Sequence, residues 1–263
     1  MTVTGRRLLT QNREMRKDRV FNWTLPAWVV RLPDGRHVNV CPQAGACIKV
    51  CYARQGTYLF PAVRAAHIRN YLETCDLPKW QAAMLTELGH RRYRPTGIAR
   101  LPDLPREHLG PEVTELLDSG AACIRIHDAG DFHSANYLRA WRAIAEAVPD
   151  ALFYAYTKEV AMVQAEPAPW PPNLLICYSM GGRQDHLINR DVDRYADVFT
   201  DEATVWAAGA YSQDAHDLLC VVAPSHRIGI PANRIPAFRA RMAGRSFGEM
   251  QADLDNGAAR HRG

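Results

Sequence analysis

Cys41, Cys47 and Cys51 crowd into eleven residues of the loop 41–53, which reads Cys-Pro-Gln-Ala-Gly-Ala-Cys-Ile-Lys-Val-Cys-Tyr-Ala. Thiolates are ligands for soft metals. Three on one loop at spacing Cys-x5-Cys-x3-Cys can each take one iron of a four-iron cluster and leave the fourth iron open to a small molecule. Pro42 and Gly45 favour a tight loop that draws the sulfurs together. A zinc ion is the alternative; it wants a fourth ligand, for which Cys75, Cys220, His37 or His67 is available. Metal-free buried thiols are a third reading. It suits the remaining cysteines (Cys75, Cys123, Cys177 and Cys220) better than a run of three, because free cysteines are often buried but rarely clustered.

The first residues are polar and basic, with no apolar segment of the signal-peptide kind, and no run of about 18 apolar residues occurs. A cytoplasmic protein with no membrane partner is expected. In that reducing compartment the seven cysteines do not form a disulfide framework, which leaves metal ligation as the first explanation of the three.

The elements that must position the loop follow from hydrophobic period. Residues 28–32 and 37–40 flank the turn signal Pro33-Asp34-Gly35 and read as a hairpin that ends at the cysteines. Apolar spacing predicts helices over 61–73 and 80–91, a short helix over 111–117 ending near Gly120, and a strand over 122–127. Ser134 caps a helix with Tyr137, Leu138, Trp141, Ile144, Ala145 and Val148 on one face, and 151–157 is the next strand. That βαβ unit implies a parallel sheet. After the proline-rich break at 167–172, strands are expected over 173–179 and 204–208. The expected fold is a single α/β domain, a partial (β/α) TIM-like barrel over 25–255, with a basic N-terminal arm over 1–24 and a flexible tail over 256–263.

In parallel α/β folds, ligands gather beyond the carboxyl ends of the strands. Here those ends are polar: His127, Asp128, Gly130, Asp131 and His133 after the first, Lys158 and Glu159 after the second, Ser179 and Arg183 after the third. Alternation along the first strand turns Ile124 and Ile126 to the helices and points Arg125 and His127 into the barrel. Asp128, Asp131 and His133 on one turn also suit a metal-free hydrolase. The plainer reading has His127, Asp128 and Asp131 capping the next helix and Lys158 paired with Glu159.

The formal charge of +4 is unevenly placed. Arg6, Arg7, Arg13, Arg16, Lys17 and Arg19 lie near the start, and Arg91, Arg92 and Arg94 form a second group, so a nucleic-acid partner is admitted beside a small-molecule or nucleotide substrate.

The loop closing on Cys51-Tyr52-Ala53, the turn Gly130-Asp131-Phe132 with its following helix, and the strand running from Phe153 to Thr157-Lys158 together resemble the phage and actinobacterial gene product 88 family. The same order of motifs, continued by a strand led by Pro172-Asn173, is similar to phage-associated proteins that resemble radical S-adenosylmethionine (SAM) enzymes. The resemblance covers about residues 25 to 185. It implies a radical-SAM-like partial barrel with a [4Fe–4S] cluster on Cys41, Cys47 and Cys51, and SAM on the fourth iron as the source of a 5′-deoxyadenosyl radical. On that resemblance Gly130 and Asp131 replace the strand end that grips the methionyl amino group. Lys158, Ser179 or Arg183 would hold the carboxylate or ribose, and Asp131, Lys158, His127 and Asp128 are the catalytic candidates. The implied reaction modifies a nucleotide, nucleic acid or peptide. The alternative is a nucleic-acid-binding or host-interacting phage-type protein with a structural zinc or iron–sulfur site and no catalysis.

Overall fold

Residues 122–126 and 151–155 are apolar at nearly every position, the pattern of strands covered on both faces. The computed structural model, which describes residues 6–232 and 236–260, places them at the centre of a seven-stranded sheet. The strands are β1 (Val20–Trp23), the separate hairpin β2 (Val29–Arg31) and β3 (His37–Asn39), β4 (Ala122–Ile126), β5 (Ala151–Thr157), β6 (Leu174–Ser179), β7 (Tyr195–Phe199), β8 (Tyr211–Ser212) and β9 (Arg227–Pro231). Their order in the sheet is β1-β4-β5-β6-β7-β9-β8, and every neighbouring pair is parallel. The expected parallel α/β sheet is present, and it ends at β1 and β8, which do not pair with each other, so it is not a closed barrel.

The helices are α1 (Arg13–Lys17), α2 (Pro61–Glu73), α3 (Leu77–Leu88), α4 (Pro111–Ser119), α5 (Ala135–Ala147), α6 (Val160–Gln164), α7 (Glu202–Ala207), α8 (Leu219–Val222), α9 (Pro236–Met242) and α10 (Phe247–Arg260). One face of the sheet packs on α3 and α5 through Trp23, Trp80, Trp141, Phe132 and Phe153. The other packs on α1, α4 and α8 through Met15, Leu117, Cys123, Cys177 and Val222. A third cluster joins Ala46 and Val50 of the cysteine loop to Phe238 and Met242 of α9 and Phe247 and Met250 of α10.

The βαβ unit, the hairpin and the helix after Pro61 lie where hydrophobic period puts them. Three expectations do not hold. The described part of the basic arm belongs to the fold: β1 pairs with β4, and Leu8, Leu9 and Met15 are buried. Residues 204–207 fall on a helix and Ala208 caps its end, because Asp201 and Thr204 form a reciprocal cap that starts α7. The tail is helical as far as Arg260 within α10; residues 261–263 lie outside the described residues. The sheet also continues into β7, β8 and β9, for which no expectation was drawn.

Candidate metal centre at the carboxyl ends of the strands

The cysteine loop begins where the hairpin ends and is fastened to three strand ends. Asp131, just beyond β4, donates its backbone N–H to the carbonyl of Val40 at 2.8 Å. Glu159, just beyond β5, accepts the N–H of Gln43 on its carboxylate at 2.9 Å. The turn after β6 receives the loop itself: the N–H groups of Gly45 and Cys47 both donate to the carbonyl of Gly181 at 3.2 Å, and Arg183 N donates to the carbonyl of Gln43 at 2.8 Å. From the far end of the chain, Gln251 of α10 accepts the N–H of Ala46 on Oε1 at 2.7 Å. Gly45 is required by this close approach, since a Cβ there would stand 2.0 Å from Gln251 Oε1. The convergence of strand ends on the loop, expected from the parallel topology, is therefore present.

All seven cysteines are free, and Cys41, Cys47 and Cys51 are half-buried. Burial pushes the Cys41 thiol up, and Asp131, Cys47 and Cys51 add to the shift against one N–H···S bond from Trp28 at 3.3 Å. Burial likewise raises Cys51, with a further push from Cys47. Neighbouring thiols thus add to the suppressed ionisation of Cys41 and Cys51, and a nearby cation would reverse that.

Among the described residues no three His, Cys, Asp or Glu side chains surround one point fit for a single metal ion. The proposed fourth zinc ligands each have other surroundings. Cys75 is exposed and bonds weakly to Tyr71, Cys220 is buried on α8, His37 is exposed on β3, and His67 rests on the Tyr58 ring. A tetrahedral zinc ion needs its ligands around one centre. A cluster takes each thiolate on a different iron, so its sulfurs stand further apart.

The other sequence candidates divide sharply. Lys158 Nζ donates to Ser179 Oγ at 2.6 Å and lies close enough to Cys51 to favour its thiolate. This bond replaces the expected pairing of Lys158 with Glu159. The Asp131 carboxylate is buried and fully occupied, accepting from Thr157 Oγ1 at 2.6 Å, Lys158 N at 2.9 Å and Phe132 N at 2.8 Å. Burial raises its pKa and these three bonds oppose the rise. Asp131 is a brace between β4 and β5 rather than a free base. Gly130, at φ +86°, is explained by packing, since a Cβ would lie 2.5 Å from that of Leu25. The Arg183 side chain is exposed, and only its backbone bonds to the loop.

His127 is a correction. It was expected to share a face with Arg125, but β4 ends at Ile126 and His127 takes φ +69°, which breaks the alternation. Its ring turns toward α5, where Nε2 meets Tyr137 Oη at 3.0 Å. Burial, then His133 and Arg125, hold its pKa well below the usual range, so it is neutral. His133 stacks on Tyr137 at 4.4 Å, and burial lowers its pKa to about 4. Asp128 accepts from Tyr58, and its carbonyl accepts from Tyr52. Asp128, Asp131 and His133 share no hydrogen bond, so the acid–base turn of a hydrolase is not assembled.

Asp217, Tyr154 and Gln251 carried no sequence signal of their own, whereas Arg125 and Glu159 were legible as polar residues at strand ends. On the sheet face opposite His127, Arg125 is ion-paired to Asp217 at 3.3 Å and to Asp128 at 3.7 Å, and its guanidinium lies 5.1 Å from the Tyr156 ring centre. Tyr154 also donates to Asp217. Burial alone would lower Arg125, but Asp217, Tyr52, Asp128 and Tyr154 together outweigh it and hold the guanidinium protonated. Glu159 is buried beside Asp131, and its pKa is raised to about 8, first by burial and then by that neighbour. A surface depression lined by Arg106, Pro111, Thr114 and Asp118 lies around α4, away from these groups, and none of its lining residues belongs to the constellation above.

No helix among the described residues is long and apolar enough to cross a membrane. The profile of a family described as "Gene product 88" matches residues 4–261. The Gene 88 protein of Mycobacterium phage L5 is 30% identical over 132 residues, which is 49% of this chain and 46% of that protein. The Gene 88 protein of Mycobacterium phage D29 is 29% identical over 132 residues, with the same coverage. The chain spans about half the length of the curated relatives it matches. No solved structure matches the chain at a significant level.

Proposed function

The chain belongs to the gene product 88 family, and on that footing we propose that Cys41, Cys47 and Cys51 carry a [4Fe–4S] cluster whose fourth iron is left for a small molecule. The observation that carries the reading is the set of three free, half-buried thiols on one loop, docked to the carboxyl ends of β4, β5 and β6, where burial and then neighbouring thiols raise Cys41 and Cys51. When bound, the cluster supplies one-electron chemistry and an open Lewis-acidic iron. The chain's own groups do the rest. Main-chain bonds to Gly181 and the Gln251 side chain hold the loop in register. Lys158 sets a positive charge beside Cys51, braced by Ser179.

SAM is the small molecule that the sequence resemblance suggests. The support for it is narrower than for the cluster: Gly130 and Asp131 are committed to packing and bracing, so its carboxylate would fall to Lys158 and Ser179 alone. A radical-SAM-like reaction on a nucleotide, nucleic acid or peptide is the corresponding proposal for the whole protein.

Anaerobic reconstitution with iron and sulfide tests the cluster. Brown protein with about four irons per chain is expected, and it should be lost in the Cys41→Ala, Cys47→Ala and Cys51→Ala variants. Zinc alone, or iron retained by the triple variant, refutes it. An electron paramagnetic resonance signal of the reduced cluster that is unchanged by added SAM would remove SAM and leave the cluster.

A further inference from the structure

We propose a second binding site at the opposite end of the sheet, a basic surface that takes the phosphate backbone of double-stranded DNA. Two arginine groups that are about 75 residues apart in the chain meet there. Arg19 Nη2 donates to the carbonyls of Arg92 at 3.0 Å and Arg94 at 2.8 Å. Arg92 reaches back to Gln11 Oε1 at 3.5 Å and lies over the rings of Phe21 and Tyr93, at 4.9 and 5.2 Å. The Phe21 and Tyr93 rings pack edge to face at 4.7 Å, which fixes the 91–94 turn against β1.

This joint lies at the amino ends of the strands. Arg19 immediately precedes β1 and also donates to the carbonyl of Gly120, ahead of β4, while Arg94 reaches Asp150, ahead of β5. It is built of different residues from the cysteine loop, which lies beyond the carboxyl ends.

The charge does not cancel. Residues 6–19 carry Arg6, Arg7, Arg13, Arg16, Lys17 and Arg19 against Glu14 and Asp18, and 91–94 add three arginines. Arg6 is taken by Glu73 at 2.7 Å and Arg94 by Asp150 at 3.2 Å. Arg7, Arg13, Arg16 and Arg91 are exposed with no carboxylate partner among the described residues. Arg92 and Arg19 form a floor whose guanidinium groups are already immobilised, so little side-chain entropy is lost when a polyanion settles on it.

The aromatic rings at the joint are inside it: Tyr93 and Phe21 are buried. No ring is presented on which an unpaired base could stack, so single-strand recognition is not favoured. Exposed arginines on a rigid surface read phosphates without regard to sequence.

The test is fluorescence anisotropy of the full chain with a labelled random-sequence DNA duplex over a salt series. Affinity should fall linearly in log–log form. The triple variant Arg13→Gln, Arg16→Gln, Arg91→Gln should bind about tenfold or more weakly at low salt and lose up to about three from the magnitude of the slope. Arg183→Gln, exposed at the cysteine end, should bind as the parent does. Circular dichroism of each variant verifies the fold; if the triple variant unfolds, Arg91→Gln alone should still weaken binding severalfold. Salt-independent binding, a triple variant that binds like the parent, an Arg183→Gln loss equal to the triple's, or binding to anionic lipid vesicles but not to DNA would each overturn the proposal. The outcome is independent of the cluster, because Arg13, Arg16 and Arg91 are not part of the cysteine loop or of the strand ends that hold it.

Discussion

Arg125 and His127 stand two residues apart, yet the sheet treats them in opposite ways. On the α3–α5 side, polarity is managed by removing charge: His127 and His133 are held neutral among Trp23, Trp80, Tyr137 and Trp141. On the other side and around the cysteine loop, charge is kept and answered: Arg125 by Asp217, and Asp131 by three donors. The first region is a packed layer in which a proton is a defect. The second is a polar frame whose groups are held in place from several directions, the kind of surrounding that a reactive site needs.

The largest break in this contrast should come from Asp217→Ala, which leaves the buried Arg125 guanidinium only the longer pair to Asp128 at 3.7 Å and is expected to cost about 3 kcal/mol in urea denaturation. Asp217→Leu with Arg125→Met should recover most of that loss; if the single variant is as stable as the parent, the charged side is not held by this pair. Asp131→Ala leaves Thr157 Oγ1 and the N–H groups of Lys158 and Phe132 without their acceptor. It should cost about 1–3 kcal/mol, and Asp131→Asn should cost less because its side-chain oxygen still accepts.

The two regions should also answer pH with opposite slopes. His133 has a folded pKa of about 4, below its unfolded value of 6.5, so the unfolded chain binds more protons between the two. Its contribution to stability is full above pH 6.5 and is lost as pH falls through 4. Glu159 has a folded pKa of about 8, above its unfolded value of 4.5, so its contribution is full below 4.5 and is lost as pH rises through 8. In melting temperatures across pH, His133→Phe should flatten the acid limb and Glu159→Gln the alkaline limb. Both variants flattening the same limb would erase the distinction.

The smallest effect should be that of Cys47→Ser on the metal-free chain, under about 1 kcal/mol, because Cys47 is only half-buried and carries no structural bond through sulfur. A large loss would recast the loop as a structural staple.

Much of the site was legible before the fold was known. The spacing of Cys41, Cys47 and Cys51, the hairpin that leads to them and the β4–α5–β5 unit are local patterns, and each is present where the pattern puts it. What was not legible depended on residues remote in the chain. β7 carries Asp197 at its centre, tolerable because Ser246 Oγ and Gly248 N donate to it. β9 contains Gly229 and Pro231, which obscure a strand until β7 and β8 flank it. The helix α10 holds Gly248 and Gly257 but is anchored to the cysteine loop through Gln251.

The sequence by itself determined the chemistry on offer, three thiols and a set of polar strand ends, because side-chain type and short-range period are properties of the local chain. Only the tertiary structure decided which of those groups face the loop. It turned His127 away through one residue of positive φ, spent Asp131 as a brace, turned Glu159 onto the loop, and brought in Gln251 and Asp217. The reason is physical: whether a polar group is free or occupied depends on what another part of the chain donates to it, and period in the sequence records burial but not the identity of the partner.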